Sequence, residues 1–214
     1  DIYDELGILV QQEHFGCWQI GDYGGYKYPK PENIDELLTN RFENSIREVI
    51  LRDRNHASLV MWGVLNENSD GIIFRKAVAL LPSLRKLDPS RLFVLNSGRF
   101  DGIKEIGSMS NPGSTSWDVR EDELKDWHPY VWMPYSSETL DLLSGRVNST
   151  GQKSYISETG LCFPIDLPSE LGDYQLYGKD QSDDVIYFKR QYDKFRTDWQ
   201  RFSLGECWAR PEDY

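Results

Sequence analysis

The chain has 214 residues, which suits one domain with a sizeable hydrophobic core. Apolar residues make up 39% and charged residues 28%, a globular composition. A net charge of −11 leaves no basic footprint, so nucleic acid is excluded as a partner, an anionic membrane is disfavoured, and a neutral or small ligand is expected.

In chain order, Asp1–Gly7 reads as the end of a helix feeding a strand, an abrupt start that points to a chain beginning inside a larger protein. Ile8-Leu9-Val10 reads as a buried parallel strand that ends in Gln11-Gln12-Glu13-His14. Gly16–Pro31, rich in Gly, Tyr and Pro, reads as a long loop. A helix is expected from near Asn33, with Asp35 and Glu36 in its first turn and Leu38, Phe42, Ile46 and Val49 as its buried stripe. Leu59–Leu65 is the strongest strand signal, ending at Asn66-Glu67-Asn68. Ala77, Leu80, Leu81, Leu84 and Leu87 mark a second helix, which Pro82 is expected to kink. Leu92–Leu95 is a third strand, ending at Asn96-Ser97-Gly98-Arg99. Val131-Trp132 reads as a fourth, with His128 and Tyr130 beside it; Leu140, Leu142 and Leu143 suggest a short helix. Tyr155-Ile156-Ser157 is a fifth strand, ending at Glu158-Thr159-Gly160, and a last long helix covers Val185–Phe202.

Alternating strands and helices imply a parallel sheet, either doubly wound or a (β/α)8 TIM barrel. The GxGxxG of a dinucleotide fold is absent. Polar residues cluster at the C-terminal end of strand after strand, which is the active-site face of a barrel. Five strands make the barrel incomplete, and no linker divides residues 1–214, which read as part of a single domain. Open barrel edges would pair with a neighbouring chain, as in a homo-oligomer, or stay exposed. Cys17, Cys162 and Cys207 are widely spaced and form no CxxC, so neither a disulfide framework nor a zinc site is expected. The compartment stays open, a periplasmic or secreted parent included. No apolar run is long enough to span a bilayer.

Glu67 and Glu158 each follow an apolar strand, and in a barrel two such ends meet over one mouth. Cleaving a glycosidic bond needs two carboxyl groups, one to protonate the leaving oxygen and one to attack the anomeric carbon or activate water, about 5–5.5 Å apart where configuration is retained. By spacing alone, either carboxylate also reads as an ordinary solvent-facing group beyond a strand. Aromatics reach 13%; most are core, and some would serve as platforms for sugar faces. His14, His56 and His128 are the only histidines and form no i, i+4 pair, so no metal site emerges.

Residues 55–68, Asn-His-Ala-Ser-Leu-Val-Met-Trp-Gly-Val-Leu-Asn-Glu-Asn, closely resemble the acid/base strand of glycoside hydrolase family two. Residues 4–13 resemble that family's preceding barrel strand, and His128-Pro129-Tyr130 and Ser157-Glu158-Thr159-Gly160 resemble its later strand ends. The resemblance implies strands three to seven of a TIM barrel, without the β-sandwich domains that usually precede it. It makes Glu67 the acid/base and Glu158 the nucleophile, with Asn66 on the sugar's 2-hydroxyl and Tyr130 hydrogen-bonded to Glu158. His128 is expected near the pocket, or else as a buried histidine satisfied by backbone. Glu13 and His14, taken to end their strand on one face, and Trp132 complete the candidate substrate contacts. Arg52, Asn55 and His56 are expected to make structural hydrogen bonds at the opposite end of the barrel, and Asp53-Arg54 to form a solvated pair. The activity implied is retaining, exo-acting hydrolysis of a β-glycoside, with no cofactor and with galactoside, glucuronide and mannoside all open. A catalytically silent sugar-binding fragment, and an α/β interaction domain in which Asn66-Glu67 is coincidence, are the other readings.

Overall fold

A computed structural model of the chain describes residues 1–16, 21–23, 26–28, 36–99, 101–130, 136–147, 153–159, 167–201 and 203. The chain divides into two compact units, Asp1–His128 with Val147–Glu158, and Pro129–Arg146 with Thr159–Tyr214.

The first unit opens with helix α1 (Ile2–Leu6), closed by Gly7 in the left-handed conformation at φ 70°. Strand β1 spans Val10–Glu13. The strand therefore starts where the expected Ile8–Val10 run ends, and Leu9 is 72% exposed. Its ladder to the next parallel strand begins only at Val10, opposite Leu59, and passes an irregularity before Gln11. The segment expected as a loop contains an antiparallel hairpin, β2 (Gly21–Tyr23) and β3 (Tyr26–Tyr28). Gly24-Gly25 between them in sequence is the turn signal that points to it.

Helix α2 (Glu36–Asp53) buries Phe42, Ile46 and Ile50. Strand β4 (Leu59–Asn66) is buried along most of its length, as a parallel strand covered on both faces should be. Helix α3 (Ile72–Leu87) buries Ala77, Leu80, Leu81 and Leu84, and Pro82 lies within it. Proline has no N–H, so the Val78 carbonyl four residues back loses its helical donor. The Trp117 indole N–H donates to that carbonyl at 3.2 Å.

Strand β5 (Leu92–Ser97) follows, then the two-residue β6 (Met109–Ser110), antiparallel to β5. Among the described residues no helix separates β5 from the next parallel strand, so the alternation of strand and helix is broken there. The four-stranded sheet has the order β1-β4-β5-β6, with β1, β4 and β5 parallel. Consecutive parallel strands lie side by side, each returning through a helix, as in the wall of a barrel. Phe42, Ile46 and Ile50 of α2, Phe74, Ala77 and Leu84 of α3, and Trp62, Val64, Phe93 and Leu95 of the strands form one core. Each fully buried Leu, Ile or Phe there contributes about 1.5–3 kcal/mol.

Strands β7 (Leu124–Trp127) and β8 (Lys153–Ile156) form a separate parallel pair. The fourth parallel strand thus lies just before His128, while the expected Val131-Trp132 falls outside the described residues. Among the described residues the strands form no closed barrel.

At the N-terminal end of β4 His56 makes a structural bond as expected, while Arg52 takes the place of Arg54 in the expected pair with Asp53. Asp53 pairs with Arg52 at 2.6 Å, while Arg54 donates to the Leu87 carbonyl at 2.9 Å. The His56 ring lies 2.7 Å from Asp4, and Ser58 N–H donates to the same carboxylate, so both hold the Asp4 carboxyl well below its usual range.

The second unit holds α4 (Ser137–Val147, its last residue in the first unit), α5 (Leu167–Leu176) and α6 (Asp183–Arg201). Helix α4 covers the expected Leu140–Leu143 stripe and α6 the expected last helix, whereas α5 is additional. Tyr174 of α5 meets Phe188 of α6 ring to ring at 6.0 Å, and its hydroxyl donates to Asp184 at 3.1 Å.

Candidate active site

Four strand ends of the first unit bring polar groups together. Glu67 lies just past β4, His128 just past β7, Ser157 and Glu158 just past β8, and Glu13 ends β1. Glu67 is 6% exposed and has φ 53°, the left-handed region that side chains other than glycine rarely occupy. Its N–H donates to the Ser97 carbonyl at 2.8 Å. The next residue is clamped: Asn68 N–H donates to the Asn96 side-chain oxygen at 3.0 Å, and the Asn96 amide returns to the Asn68 carbonyl at 2.7 Å. Asn96 also donates to Asp101, which Arg99 holds at 2.5 Å. Surrounding bonds thus hold a conformation that is unfavourable on its own, as happens at functional sites.

The side chains converge. Glu67 Oε1 lies 2.6 Å from His128 Nδ1, and Glu158 Oε2 lies 3.7 Å from the same nitrogen. One atom from each of Glu67, His128 and Glu158 lies within 4.8 Å of the other two. Asn66 Nδ2 donates to Glu158 Oε1 at 2.8 Å, and Ser97 Oγ donates to Asn66 Oδ1 at 3.0 Å, which turns the Asn66 amide toward Glu158. The Glu158 side chain is 29% exposed, so it is the more open of the two carboxylates.

Glu13 joins this group through β1. Gln11 Nε2 donates to its Oε1 at 2.8 Å, and Ser97 Oγ lies 3.3 Å from the same oxygen. Loss of water around the carboxyl, and then the Glu158 charge, push Glu13 above the usual carboxylate range. Gly63 on β4 makes the room: a Cβ there would come within 3.0 Å of Glu13 Cγ. The Tyr155 hydroxyl of β8 donates to Gln11, and burial followed by the Asp126 and Glu13 charges pushes this phenol up to about 12.

His14 does not share the face of Glu13. Successive side chains of a strand point to opposite sides. Gln11 and Glu13 turn toward Gly63, whereas His14 is buried beside Phe15 and Phe42, with ring centroids 4.2 and 5.1 Å away. Burial lowers its pKa to about 4, which keeps the ring neutral. His128 is not a backbone-satisfied histidine: its ring bonds the side chains of Glu67 and Ser157. Tyr130 is 43% exposed and belongs to the second unit. Trp132 lies outside the described residues.

Asp126 escaped the sequence reading, and Gly98 entered it only as part of a strand end. Asp126 Oδ1 accepts the Ser157 hydroxyl at 2.5 Å, and its Oδ2 accepts Gly98 N–H at 3.0 Å. Asp126 sits in Leu-Lys-Asp-Trp, which lacks the apolar run that marks the other strands. Gly98 has φ 56°, and a Cβ there would fall 2.4 Å from His128 Cε1 and Nδ1. The Glu67, His128 and Glu158 donors would also suit a cation, as would Asp1, Asp4 and His56. At the first group an ion would have to displace the 2.6 Å contact between Glu67 and His128.

This arrangement brings two carboxylates together from separate strand ends, and the chain as a whole resembles known proteins in sequence. The family model described as glycosyl hydrolases family 2, TIM barrel domain, matches residues 1–150. A β-galactosidase of Thermoanaerobacter pseudethanolicus is 38% identical over 92 residues, 42% of this chain and 10% of that protein. The human β-glucuronidase is 29% identical over 97 residues, 42% of this chain and 14% of that protein. The crystal structure of a family 2 β-galacturonidase from Eisenbergiella tayi bound to galacturonate covers 74% of this chain and 26% of its own, at 22% identity and a TM-score of 0.46. The chain therefore spans about a tenth to a seventh of the length of these two curated relatives. With the family model matched over more than two thirds of its residues, the chain belongs to the glycosyl hydrolases of family 2 and represents part of their TIM barrel domain.

Proposed function

We propose that the chain carries both catalytic carboxylates of a retaining, exo-acting β-glycosidase, as part of a single catalytic barrel domain. The observation that carries this reading is the approach of Glu67 and Glu158, with oxygens within 4.8 Å of each other from two different strand ends. Retaining enzymes hold their carboxyl groups about 5–5.5 Å apart and inverting enzymes about 6.5–9.5 Å, so this approach supports retention.

In the first step Glu158 attacks the anomeric carbon as that carbon's bond to the leaving oxygen breaks, and Glu67 gives its proton to that oxygen. In the second, Glu67 takes a proton from water as the water attacks the same carbon, and the Glu158 ester bond breaks. Two inversions restore the β configuration. Asn66, Glu13, His128, Tyr130 and Trp132 are proposed on the sugar side, and His14 behind Glu13. The names of the relatives favour a β-galactoside or a β-glucuronide as substrate, with a β-mannoside as the third member of the class.

The test is hydrolysis of a panel of aryl β-glycosides with the product anomer followed by NMR. Reaction with a 2-fluoro glycoside, whose intermediate turns over slowly, should add one sugar to the peptide containing Glu158. An α-anomer as first product, or a label on another residue, would refute the reading.

A further inference from the structure

The hydrogen bonds behind Glu67 run in one direction. Asp126 accepts from Gly98 N–H at 3.0 Å and from the Ser157 hydroxyl at 2.5 Å. A hydroxyl has one proton to give. Having given it to Asp126, Ser157 Oγ can present only a lone pair to His128 Nε2, 2.8 Å away. Nε2 must therefore carry a proton. On a neutral imidazole the other nitrogen is then an acceptor. That nitrogen, Nδ1, faces Glu67 Oε1 at 2.6 Å, a contact that two lone pairs would not make. One proton lies between them, whether Glu67 donates it to Nδ1 or a charged ring donates it back to the carboxylate.

We infer that Asp126 and Ser157 are positioning residues for the acid/base: they fix His128 with its proton on Nε2, so that Glu67 and His128 share one further proton between Oε1 and Nδ1. This rests on the assignment of Glu67 proposed above. It gives that residue a means of serving both half-reactions. Glycosylation removes the shared proton to the leaving oxygen. The Nδ1 lone pair then faces a bare Glu67 carboxylate, and their repulsion is relieved when Glu67 draws a proton from the attacking water. The titratable groups that face the ring are Glu67 past β4, Glu158 past β8 at 3.7 Å, Glu13 at the end of β1, and Asp126 of β7 through Ser157. Gly98 belongs to the same arrangement, since only a residue without Cβ leaves space for the ring.

The test is a heteronuclear NMR spectrum of the chain labelled with 15N at histidine, in which long-range couplings tell the two ring nitrogens apart. His128 is assigned by the signals lost in His128→Gln. The expected result is a protonated Nε2 in the unmodified chain. In Ser157→Ala the ring should move to the Nδ1–H form and donate to the Glu67 carboxylate, with the His14 and His56 signals unmoved as reporters of the fold; Ser157→Thr should restore the Nε2–H form. Asp126→Asn, which weakens the pull on the Ser157 proton, should shift the tautomer the same way and replaces Ser157→Ala if that variant fails to fold. An unprotonated Nε2 in the unmodified chain, or a tautomer that ignores both substitutions, would overturn the inference. On aryl glycosides the basic limb of the kcat/KM profile should move to lower pH in Ser157→Ala. Lack of turnover with the expected tautomer would count against the proposed function alone, and turnover with the wrong tautomer against the shared proton alone.

Discussion

Asn68 and Asn96 hold each other by two reciprocal bonds, N–H to side-chain oxygen at 3.0 Å and side-chain amide to carbonyl at 2.7 Å, and Glu67 hangs from the chain immediately before that clamp. Both residues are buried, so water cannot replace a lost partner. Asn96→Ala should orphan the Asn68 N–H and carbonyl and cost about 2–6 kcal/mol, from about 1–3 kcal/mol for each buried group left unbonded. It should also release Glu67 from its left-handed conformation and lower glycoside turnover. Urea unfolding and kcat measured on the same variant check both. A variant of unchanged stability would show that the clamp does not hold the turn.

Gly98 meets two demands at once. Its φ of 56° disfavours a side chain, and a Cβ would lie 2.4 Å from the His128 ring. Gly98→Ala should therefore cost about 1–2 kcal/mol for the left-handed backbone and a further 1–3 kcal/mol or so for overpacking. The second contribution should be smaller in a Gly98→Ala/His128→Gly double variant, which removes the ring. Thermal or urea unfolding of the two singles and the double decides this, and strictly additive losses would argue against the contact.

Strands β4 and β5 were legible because apolar runs end in polar residues, and the two carboxylates because each follows such a run. The Asn-Glu pair, read through the family resemblance, pointed to the turn that carries Glu67. Strand β7 was not legible: Leu124-Lys125-Asp126-Trp127 is half polar because Asp126 turns to Gly98 and Ser157, so the feature that gives it a role also hides it as a strand. His14 was misplaced for a different reason. Sequence shows that a residue follows a strand but not which way the alternation points it, and Phe42 from a helix more than twenty residues on decides that. The His128 partners were beyond sequence reading, since they come from segments 61 and 29 residues away.

The buried, neutral His14 makes stability depend on pH. Its pKa falls from 6.5 to about 4 on folding, burial being the main cause. Because the folded value is the lower one, its contribution is complete above pH 6.5 and shrinks as acid charges the unfolded-state ring, down to the folded value near 4. The loss across that window is about 3 kcal/mol at 1.36 kcal/mol for each pKa unit. His14→Phe, which keeps an aromatic ring beside Phe15 and Phe42, should remove this dependence. Urea midpoints at pH 7 and pH 4.5 should differ less in the variant than in the unmodified chain; an equal difference would assign the acid sensitivity to other groups.

The two carboxylates should fail differently when removed. Glu67 is buried against His128, whose contact requires a shared proton, while Glu158 is more open and accepts a hydrogen bond from Asn66. An acid needs the first setting and a nucleophile the second. Glu158→Ala should abolish glycosylation for every substrate, because that step needs the Glu158 carboxylate to form the covalent bond. Glu67→Ala should slow substrates with poor leaving groups by about 10²–10⁴-fold, the usual worth of a general acid. Activated aryl glycosides need little protonation to depart, so their first step should be spared and the intermediate should accumulate for want of a base. Azide should then rescue Glu67→Ala and yield a β-glycosyl azide, since a small anion can open the intermediate without general-base help. The same azide should leave Glu158→Ala without a β-product, because no intermediate forms there to be opened. Chromatography and NMR of the products distinguish the cases. A β-azide from Glu158→Ala, with none from Glu67→Ala, would exchange the two roles.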